Sequence, residues 1–306
     1  MSFCPQNNEF EIDTMIVGAQ KCATTALLSL LGSNERIVIP SQKELVFFSR
    51  LDEFERGLDW LRWKYFSKDQ DYRFQRIAKD VNLFRNEVGL TRLANTFPKV
   101  KIVTMIRNPV ERVISAYLFN RQRGLEKRRS LEEVFDEELK EETVGESTAK
   151  GYLFNCDYVS HAKLIHQIFG RNRHQVIVAE DFFNAPEEIA SACVAHLNLT
   201  PQSFRLEAMK TNKGGAARSD TLSSILNLIR RSPKIFRDPF RMAIGPDRAA
   251  SLMSWLRERN TKSSDQSKNV NEITLERLTK HCQQVNKNLI DICKIKSSAE
   301  WLDSYK

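Results

Sequence analysis

The sequence predicts an α/β fold of three layers, α/β/α, with a central parallel sheet. Residues 15–17 form a short apolar run that ends at Gly18, as a buried parallel strand does. An apolar helical segment follows at 24–31, and a second clear strand, 101–106, also leads into a helical pattern. Short strands that alternate with helices are typical of a parallel sheet covered by helices.

The composition indicates a globular protein of ordinary character. Apolar residues make up 41% and charged residues 28% of the 306 positions, which is far from a disordered or membrane-spanning composition. The net charge of +8 permits a nucleic acid, an anionic lipid surface, an acidic glycan or an anionic cofactor as partner. Plain surface charge explains the same excess.

The cysteine pattern and the N-terminus indicate a reducing compartment. The six cysteines show no CxxC pair and no His/Cys spacing typical of a metal site, so we expect free thiols and no metal. The N-terminus lacks the apolar segment of a signal peptide, and no apolar run reaches transmembrane length. We therefore expect a cytoplasmic protein without a membrane stage.

The turn between the first strand and the first helix has the properties of an anion site. Thr24 and Thr25 open the helix, and the turn before them carries Lys21. Free backbone N–H groups and the positive end of a helix dipole attract a phosphate-like group, and the lysine adds a full charge. The lysine follows Gly18 by three residues, whereas a P-loop places it five residues on. A structural turn with an incidental lysine is the alternative.

Further elements follow in order. A strand at 37–39 ends at Pro40, and the next loop places Lys43 and Glu44 before two phenylalanines. This loop is either an active-site rim or a surface loop anchored by its aromatic rings. A third strand is predicted at 76–81, and it includes Lys79. Other helices are predicted at 54–66, 87–97, 130–140, 186–197, 220–231 and 274–295.

The strand at 101–106 ends in an arginine, Arg107, at the position where open α/β sheets bind ligands. In the helix that follows, Arg112 and Ser115 share a face. Arg107 and Ser115 could converge on a phosphate monoester, or the arginines could pair with acids such as Glu111. A kinase or GTPase needs an aspartate here to hold Mg²⁺, so the arginine argues against metal-assisted ATP hydrolysis.

With these motifs in view, the chain resembles the PAPS-dependent sulfotransferases, where PAPS is 3′-phosphoadenosine 5′-phosphosulfate. VGAQKCATT, residues 17–25, is similar to the 5′-phosphosulfate loop of that family. The 3′-phosphate motif R-x-P-x-x-R-x-x-S-x-Y is matched by Arg107, Pro109, Arg112, Ser115 and Tyr117. TNKGGAARS, residues 211–219, resembles the late loop over the 3′-phosphate. The resemblance covers most of 12–220.

The resemblance implies a role for each matched residue. Lys21 would contact the leaving phosphate and the sulfuryl group, while Arg107 and Ser115 would hold the 3′-phosphate. The 5′-phosphate would be held by the first loop, through Gly18, Gln20, Lys21, Cys22, Ala23, Thr24 and Thr25. The late loop would add Lys213, Gly214 and Gly215. Phe182 or Tyr152 would contact the adenine.

The resemblance also identifies a base. No histidine lies in 78–81, where cytosolic-type members carry theirs, but residues 43–48 match the K-E-x-x-F-F pattern of the glycan-type and bacterial branch. Glu44 would therefore be the base, with Lys43 and Lys79 as supporting charges.

We therefore expect a single sulfotransferase domain over 1–306, with a PAPS-binding and catalytic core at 12–220. The rest, 221–306, would be helical with a mobile loop at 230–270. The expected enzyme sulfates a hydroxyl or a nitrogen of a small molecule, a class that includes guanidinium alkaloids such as saxitoxin, and releases PAP. It needs no metal, nucleic acid or membrane. A glycan sulfotransferase, a nucleotide kinase and a non-enzymatic polyanion binder are the alternatives.

Overall fold

The computed structural model of the chain describes residues 10–67, 74–123, 125–126, 130–140, 151–196, 204–209, 216–217, 261–262 and 270–305. The chain packs as two compact units. The first consists of Met1–Pro109, Asp157–Thr211 and Cys282–Lys306, and the second of Val110–Cys156 and Asn212–His281. The expectation of a single domain stays a prediction.

The elements alternate as the sequence predicts. The strands are β1 (Thr14–Ile16), β2 (Ile37–Val38), β3 (Gln75–Lys79), β4 (Lys101–Ile106), β5 (His174–Val178), β6 (Ala216–Ala217) and β7 (Thr261–Lys262). The helices are α1 (Thr24–Leu31), α2 (Leu51–Phe54), α3 (Gly57–Phe66), α4 (Glu87–Thr96), α5 (Pro109–Gln122), α6 (Leu131–Lys140), α7 (Tyr158–Phe169), α8 (Ala179–Asn184), α9 (Pro186–His196), α10 (Glu272–Val285) and α11 (Leu289–Cys293).

The first unit is built on a five-stranded sheet of order β2-β3-β1-β4-β5, in which all neighbours are parallel. This confirms the predicted α/β class. Met15 and Ile16 are completely buried, as a central strand of apolar residues should be. Ile16 is level with Lys79 on one side and with Val103 on the other. The carboxyl ends of β1, β3 and β4 therefore meet at one edge, where the strand order changes direction around β1.

Two of the boundaries that differ from the prediction have identifiable reasons. The third strand ends at Lys79 because Asp80 accepts a hydrogen bond from the backbone N–H of Asn82 and caps a 3₁₀ turn, Val81–Arg85. The helix predicted at 274–295 is divided into α10 and α11, since Asn288 adopts a left-handed conformation with φ 64°. The helix predicted at 220–231 and the mobile loop at 230–270 lie outside the described residues, apart from 261–262.

In the second unit, a buried guanidinium and a buried tyrosine meet. Arg112 is completely buried and donates from Nη2 to the carbonyl of Tyr152. The hydroxyl of Tyr152 accepts from the amide of Asn120 at 2.9 Å and donates to Glu126 at 3.0 Å. Burial raises the pKa of the Tyr152 hydroxyl, so the ring stays neutral in this core.

None of the helices within the described ranges combines the length and the apolar character that crossing a bilayer requires.

Candidate active site

The β1–α1 loop, residues 17–23, leaves the sheet edge through Gly18. Its φ of 133° lies in the range that favours glycine, and a Cβ at this position would stand 2.7 Å from Cβ of Phe84. The backbone here still pairs with β4, because Met105 donates to Gly18 O at 2.7 Å and Ala19 donates to Met105 O at 2.6 Å. The sheet thus fixes the start of the loop and sets its direction.

The second half of the loop alternates its backbone conformation. Lys21 and Ala23 have φ of 72° and 62°, while Cys22 between them is completely buried. A left-handed conformation costs a residue with a side chain about 1–2 kcal/mol, so two of them in three positions mark a constrained loop. Successive N–H groups in such alternating turns form a concave nest that binds anions.

Helix α1 begins directly after this nest. Its N-cap is Ala23, whose methyl side chain cannot accept a hydrogen bond, and its first turn contains no acid. The first N–H groups of the helix are therefore not capped by their own N-cap side chain, and the positive end of the dipole is not offset within that turn. This local chemistry fits an external anion such as a phosphate.

Glu44 lies beside the same sheet edge, in an ion pair with Lys79. Lys79 Nζ is 2.5 Å from Glu44 Oε1 and also donates to Thr25 Oγ1 at 3.1 Å. The lysine side chain is 2% exposed, whereas that of Glu44 is 33% exposed. One buried ammonium thus joins an accessible carboxylate to the first turn of α1.

One backbone N–H holds the carboxylate of Glu44, and a second backbone hydrogen bond holds the loop that carries it. The backbone N–H of Val81 donates to Glu44 Oε2 at 3.3 Å, and the N–H of Leu45 donates to the carbonyl of Lys79 at 2.7 Å. Lys43, the other predicted supporting charge, is exposed.

Arg107 follows β4 at the same edge, and Tyr158 joins its backbone to the β1–α1 loop. The Tyr158 hydroxyl donates to the carbonyl of Arg107 at 3.0 Å and lies 3.9 Å from Cys22 Sγ. The next N–H, that of Asn108, donates to Glu180 Oε1 at 3.0 Å. The structure therefore brings the two predicted phosphate-binding segments of the first unit into one packed framework.

The remaining predicted site residues lie in the second unit, in buried positions or outside the described residues. Ser115 belongs to the second unit, where it is almost buried on α5. Lys213, Gly214 and Gly215 lie outside the described residues. Tyr152 and Phe182 are both buried, so their contact with an adenine stays a prediction.

Sequence reasoning missed two residues of this edge. Tyr158 has no motif of its own, and only its position on α7 shows that it touches Cys22 and Arg107. Asp80 falls within the strand predicted at 76–81, whereas the structure places it directly after β3, completely buried and accepting from Ser49 Oγ and from Asn82. A polar residue that directly follows a buried strand was the available signal for Asp80.

A cavity of about 440 Å³ lies elsewhere in the first unit, along β5. It is lined in part by Arg171, His174 and Lys294, and it includes no residue that the sequence predicts for the site. Among the described residues, no group of three or more His, Cys, Asp or Glu side chains could hold a metal ion.

Comparison with known proteins gives a family match over residues 11–213, to the sulfotransferase domain. The bifunctional heparan sulfate N-deacetylase/N-sulfotransferase 1 of Xenopus tropicalis is 33% identical over 116 residues, which are 35% of this chain and 13% of that protein. The human N-deacetylase/N-sulfotransferase 3 is 34% identical over 116 residues, with the same two shares. This chain therefore matches only a small part of these curated relatives.

A solved structure resembles the fold. The sulfotransferase from Alicyclobacillus acidocaldarius superposes with a TM-score of 0.57 at 22% identity, covering 75% of this chain and 100% of that one. At this identity the likeness concerns the fold alone.

Proposed function

This chain belongs to the sulfotransferase domain family, and on that premise we propose that it moves a sulfuryl group from PAPS to a hydroxyl or a nitrogen of a small-molecule acceptor. The observation that carries the proposal is the chain of contacts from Glu44 through Lys79 to Thr25. It links a carboxylate that can accept a proton to the helix start that can hold an anion. When bound, PAPS supplies the sulfuryl group, and the doubly phosphorylated nucleotide PAP leaves.

The residues of the β1–α1 loop fit the 5′ end of that nucleotide. The nest formed around Lys21 and Ala23, with the first turn of α1, offers backbone donors of fixed orientation. Donors that are already in place stabilise developing negative charge without reorganisation, which is the main need of sulfuryl transfer. We assign the lysine of this loop, Lys21, to the leaving phosphate and the sulfuryl group.

Glu44 is proposed as the base that takes the proton of the acceptor. Its partial exposure gives an acceptor access, and its two contacts with Lys79 and with the Val81 N–H fix its orientation. Because Lys79 also bonds Thr25, a shift of the base is coupled to the start of α1. A positioned base of this kind contributes about 10²–10⁴-fold to the rate.

The 3′-phosphate contacts are proposed from the sequence motif. Arg107 and Ser115 occupy its arginine and serine positions, and Lys213, Gly214 and Gly215 occupy those of the late loop. Lys43 is retained as an exposed supporting charge. A reducing, cytoplasmic location completes the proposal and is supported by the free thiols of Cys193 and Cys293.

A glycan acceptor is the second candidate. The curated relatives are named as bifunctional heparan sulfate N-deacetylase/N-sulfotransferases, and over 116 residues they match this chain at about one third identity. Those names favour a nitrogen acceptor on an amino sugar, whereas the sequence prediction favours a small molecule such as a guanidinium alkaloid. Both acceptors present a nitrogen to the same base.

Calorimetric titration tests the nucleotide assignment. We expect PAP to bind without Mg²⁺ and at least tenfold more tightly than ADP, because ADP lacks the 3′-phosphate and loses its charge-assisted contacts, each of which contributes about 1.5–3 kcal/mol. A preference for ADP with Mg²⁺ would instead indicate a kinase. Equal, strongly salt-dependent binding of both nucleotides would indicate a polyanion binder. PAPS-dependent turnover with guanidinium compounds and with amino-sugar oligosaccharides then decides between the two acceptor classes.

A further inference from the structure

Asp80 is the buried carboxylate next to the proposed base. It directly follows Lys79 at the end of β3, and its backbone N–H donates to the carbonyl of Ile16 in β1 at 3.0 Å. Its side chain is completely buried, so it cannot meet an acceptor itself. Burying a carboxylate costs free energy unless several hydrogen-bond donors satisfy it. The donors to Asp80 therefore show which segments it joins.

The donors to Asp80 come from two segments that both contact or carry Glu44: its own loop and the 3₁₀ turn Val81–Arg85. Ser49 Oγ donates to Oδ2, while the backbone N–H and the side-chain amide of Asn82 both donate to Oδ1 at 3.0 Å. Ser49 ends the loop that carries Glu44. Asn82 belongs to the 3₁₀ turn whose first N–H, that of Val81, donates to Glu44.

The segment 41–49, which carries Glu44, is held by hydrogen bonds at both ends. At its start, the N–H of Ser41 donates to the carbonyl of Tyr65 in α3 at 2.9 Å. At its end, Ser49 is held by Asp80. Glu44 lies between these anchors, so the contact to Asp80 controls both the loop that carries the base and the N–H that orients it.

We propose that Asp80 is a positioning residue for Glu44, which ties the end of loop 41–49 to the turn whose Val81 N–H holds the carboxylate. The inference rests on the proposed function insofar as Glu44 is the base. It adds a second carboxylate that acts through Glu44 without touching the acceptor.

The charge state of Asp80 gives a readout that a merely structural cap would lack. Burial raises the pKa of Asp80 to about 6, while the hydrogen bonds from Ser49 and Asn82 lower it and the charge of Glu44 raises it. The other charged groups at this corner are Lys79, which is paired with Glu44, and Arg92 of α4, which donates to the carbonyl of Phe48. Below the pKa, the protonated carboxyl is a weaker acceptor for its three donors.

The kinetic test compares three variants with the wild type between pH 5 and 8. Asp80→Ala should lower kcat by about 10- to 100-fold through misplacement of the base and leave the affinity for PAP nearly unchanged. Asp80→Asn keeps the shape without the charge, and it should remove the loss of activity around pH 6. Ser49→Ala removes a bond that lowers the Asp80 pKa, so it should move that loss to higher pH. Identical pH profiles of wild type and Asp80→Asn would overturn the proposal, as would a parallel loss of kcat and PAP binding.

Hydrogen exchange decides the same question without any turnover. In the wild type, the amides of Val81 and Asn82 should lose protection as Asp80 is protonated, and in Asp80→Ala they should exchange faster at every pH. Unchanged protection in both experiments would overturn the role of Asp80. A protein that ignores PAPS, or a fully active Glu44→Gln variant, would instead overturn the proposed function and leave the exchange result to stand. If Asp80→Ala fails to fold, Asp80→Asn and Ser49→Ala carry both tests.

Discussion

The β1–α1 loop and the Glu44 cluster, which consists of Glu44, Lys79, Asp80 and Ser49, lie in the same unit but are built differently. The loop acts through its backbone, with a glycine at φ 133° and left-handed conformations at Lys21 and Ala23. The cluster acts through side chains, with two carboxylates, a buried ammonium and a hydroxyl. The loop should therefore be sensitive to changes of backbone conformation and the cluster to changes of charge.

The largest effect should come from removing the charge of the base. Glu44→Gln keeps the size of the side chain and one oxygen for the Lys79 ammonium, but it cannot take a proton from the acceptor. We expect turnover to fall by about 10²–10⁴-fold with little change in PAP affinity. Steady-state kinetics and calorimetry with PAP measure the two quantities separately.

Glu35→Gln is the matched control for this change. The side chain of Glu35 is 86% exposed, and its carboxylate lies 3.6 Å from the guanidinium of Arg205. A surface ion pair of this kind contributes little to stability. Turnover should be unchanged in this variant. Normal turnover in Glu44→Gln would remove Glu44 from its role as base.

A backbone change should affect the loop more than a charge change does. Gly18→Ala places a methyl group 2.7 Å from Phe84 Cβ at a φ that side chains avoid, and we expect a loss of about 3 kcal/mol in unfolding free energy. We also expect PAP to bind more weakly in this variant, because the β1–α1 loop leaves the sheet through Gly18 and a change of its backbone conformation would displace the loop. Denaturant unfolding and calorimetry provide the measurements.

Gly57→Ala separates the cost of backbone strain at a positive φ from the cost of a steric clash with a neighbouring side chain. Gly57 also has a positive φ, 79°, but a Cβ there meets nothing within 4 Å. We expect a loss of about 1 kcal/mol and normal PAP binding. Equal losses in the two variants would show that the contact with Phe84 has no role in shaping the loop.

The loop was the easier of the two regions to predict from sequence. Strand, glycine, lysine and helix start are contiguous in VGAQKCATT, so short-range rules locate them, and the apolar runs around them predict the parallel sheet. The left-handed Ala23 could not be read from its residue type, because alanine normally avoids that conformation.

The Glu44 cluster depends on contacts between distant parts of the chain. Glu44 and Lys79 are 35 residues apart, and only the parallel register of β1 and β3 brings Lys79 to the level of Ile16, beside α1. The resemblance to a family named Glu44 and Lys79, but it gave no reason to select Asp80 or Tyr158. Those two are defined by burial and by hydrogen-bond partners, which local patterns do not specify.

The smallest expected effect is at Thr25, where the two regions meet. Thr25→Val removes the oxygen that accepts from Lys79 at 3.1 Å, while Lys79 keeps its bond to Glu44. We expect PAP affinity and kcat each to fall by about threefold to tenfold, because the ammonium keeps its bond to Glu44 and the net loss is that of an ordinary hydrogen bond, about 0.5–1.5 kcal/mol. Thr25→Ser retains the hydroxyl and should remain near the wild type, so equal defects in both variants would contradict a role for the oxygen.

In combination with Glu44→Gln, the effects of Thr25→Val on kcat should not add, because Lys79 bonds both residues. Strict additivity would show that the loop and the cluster act independently, as two separate sites.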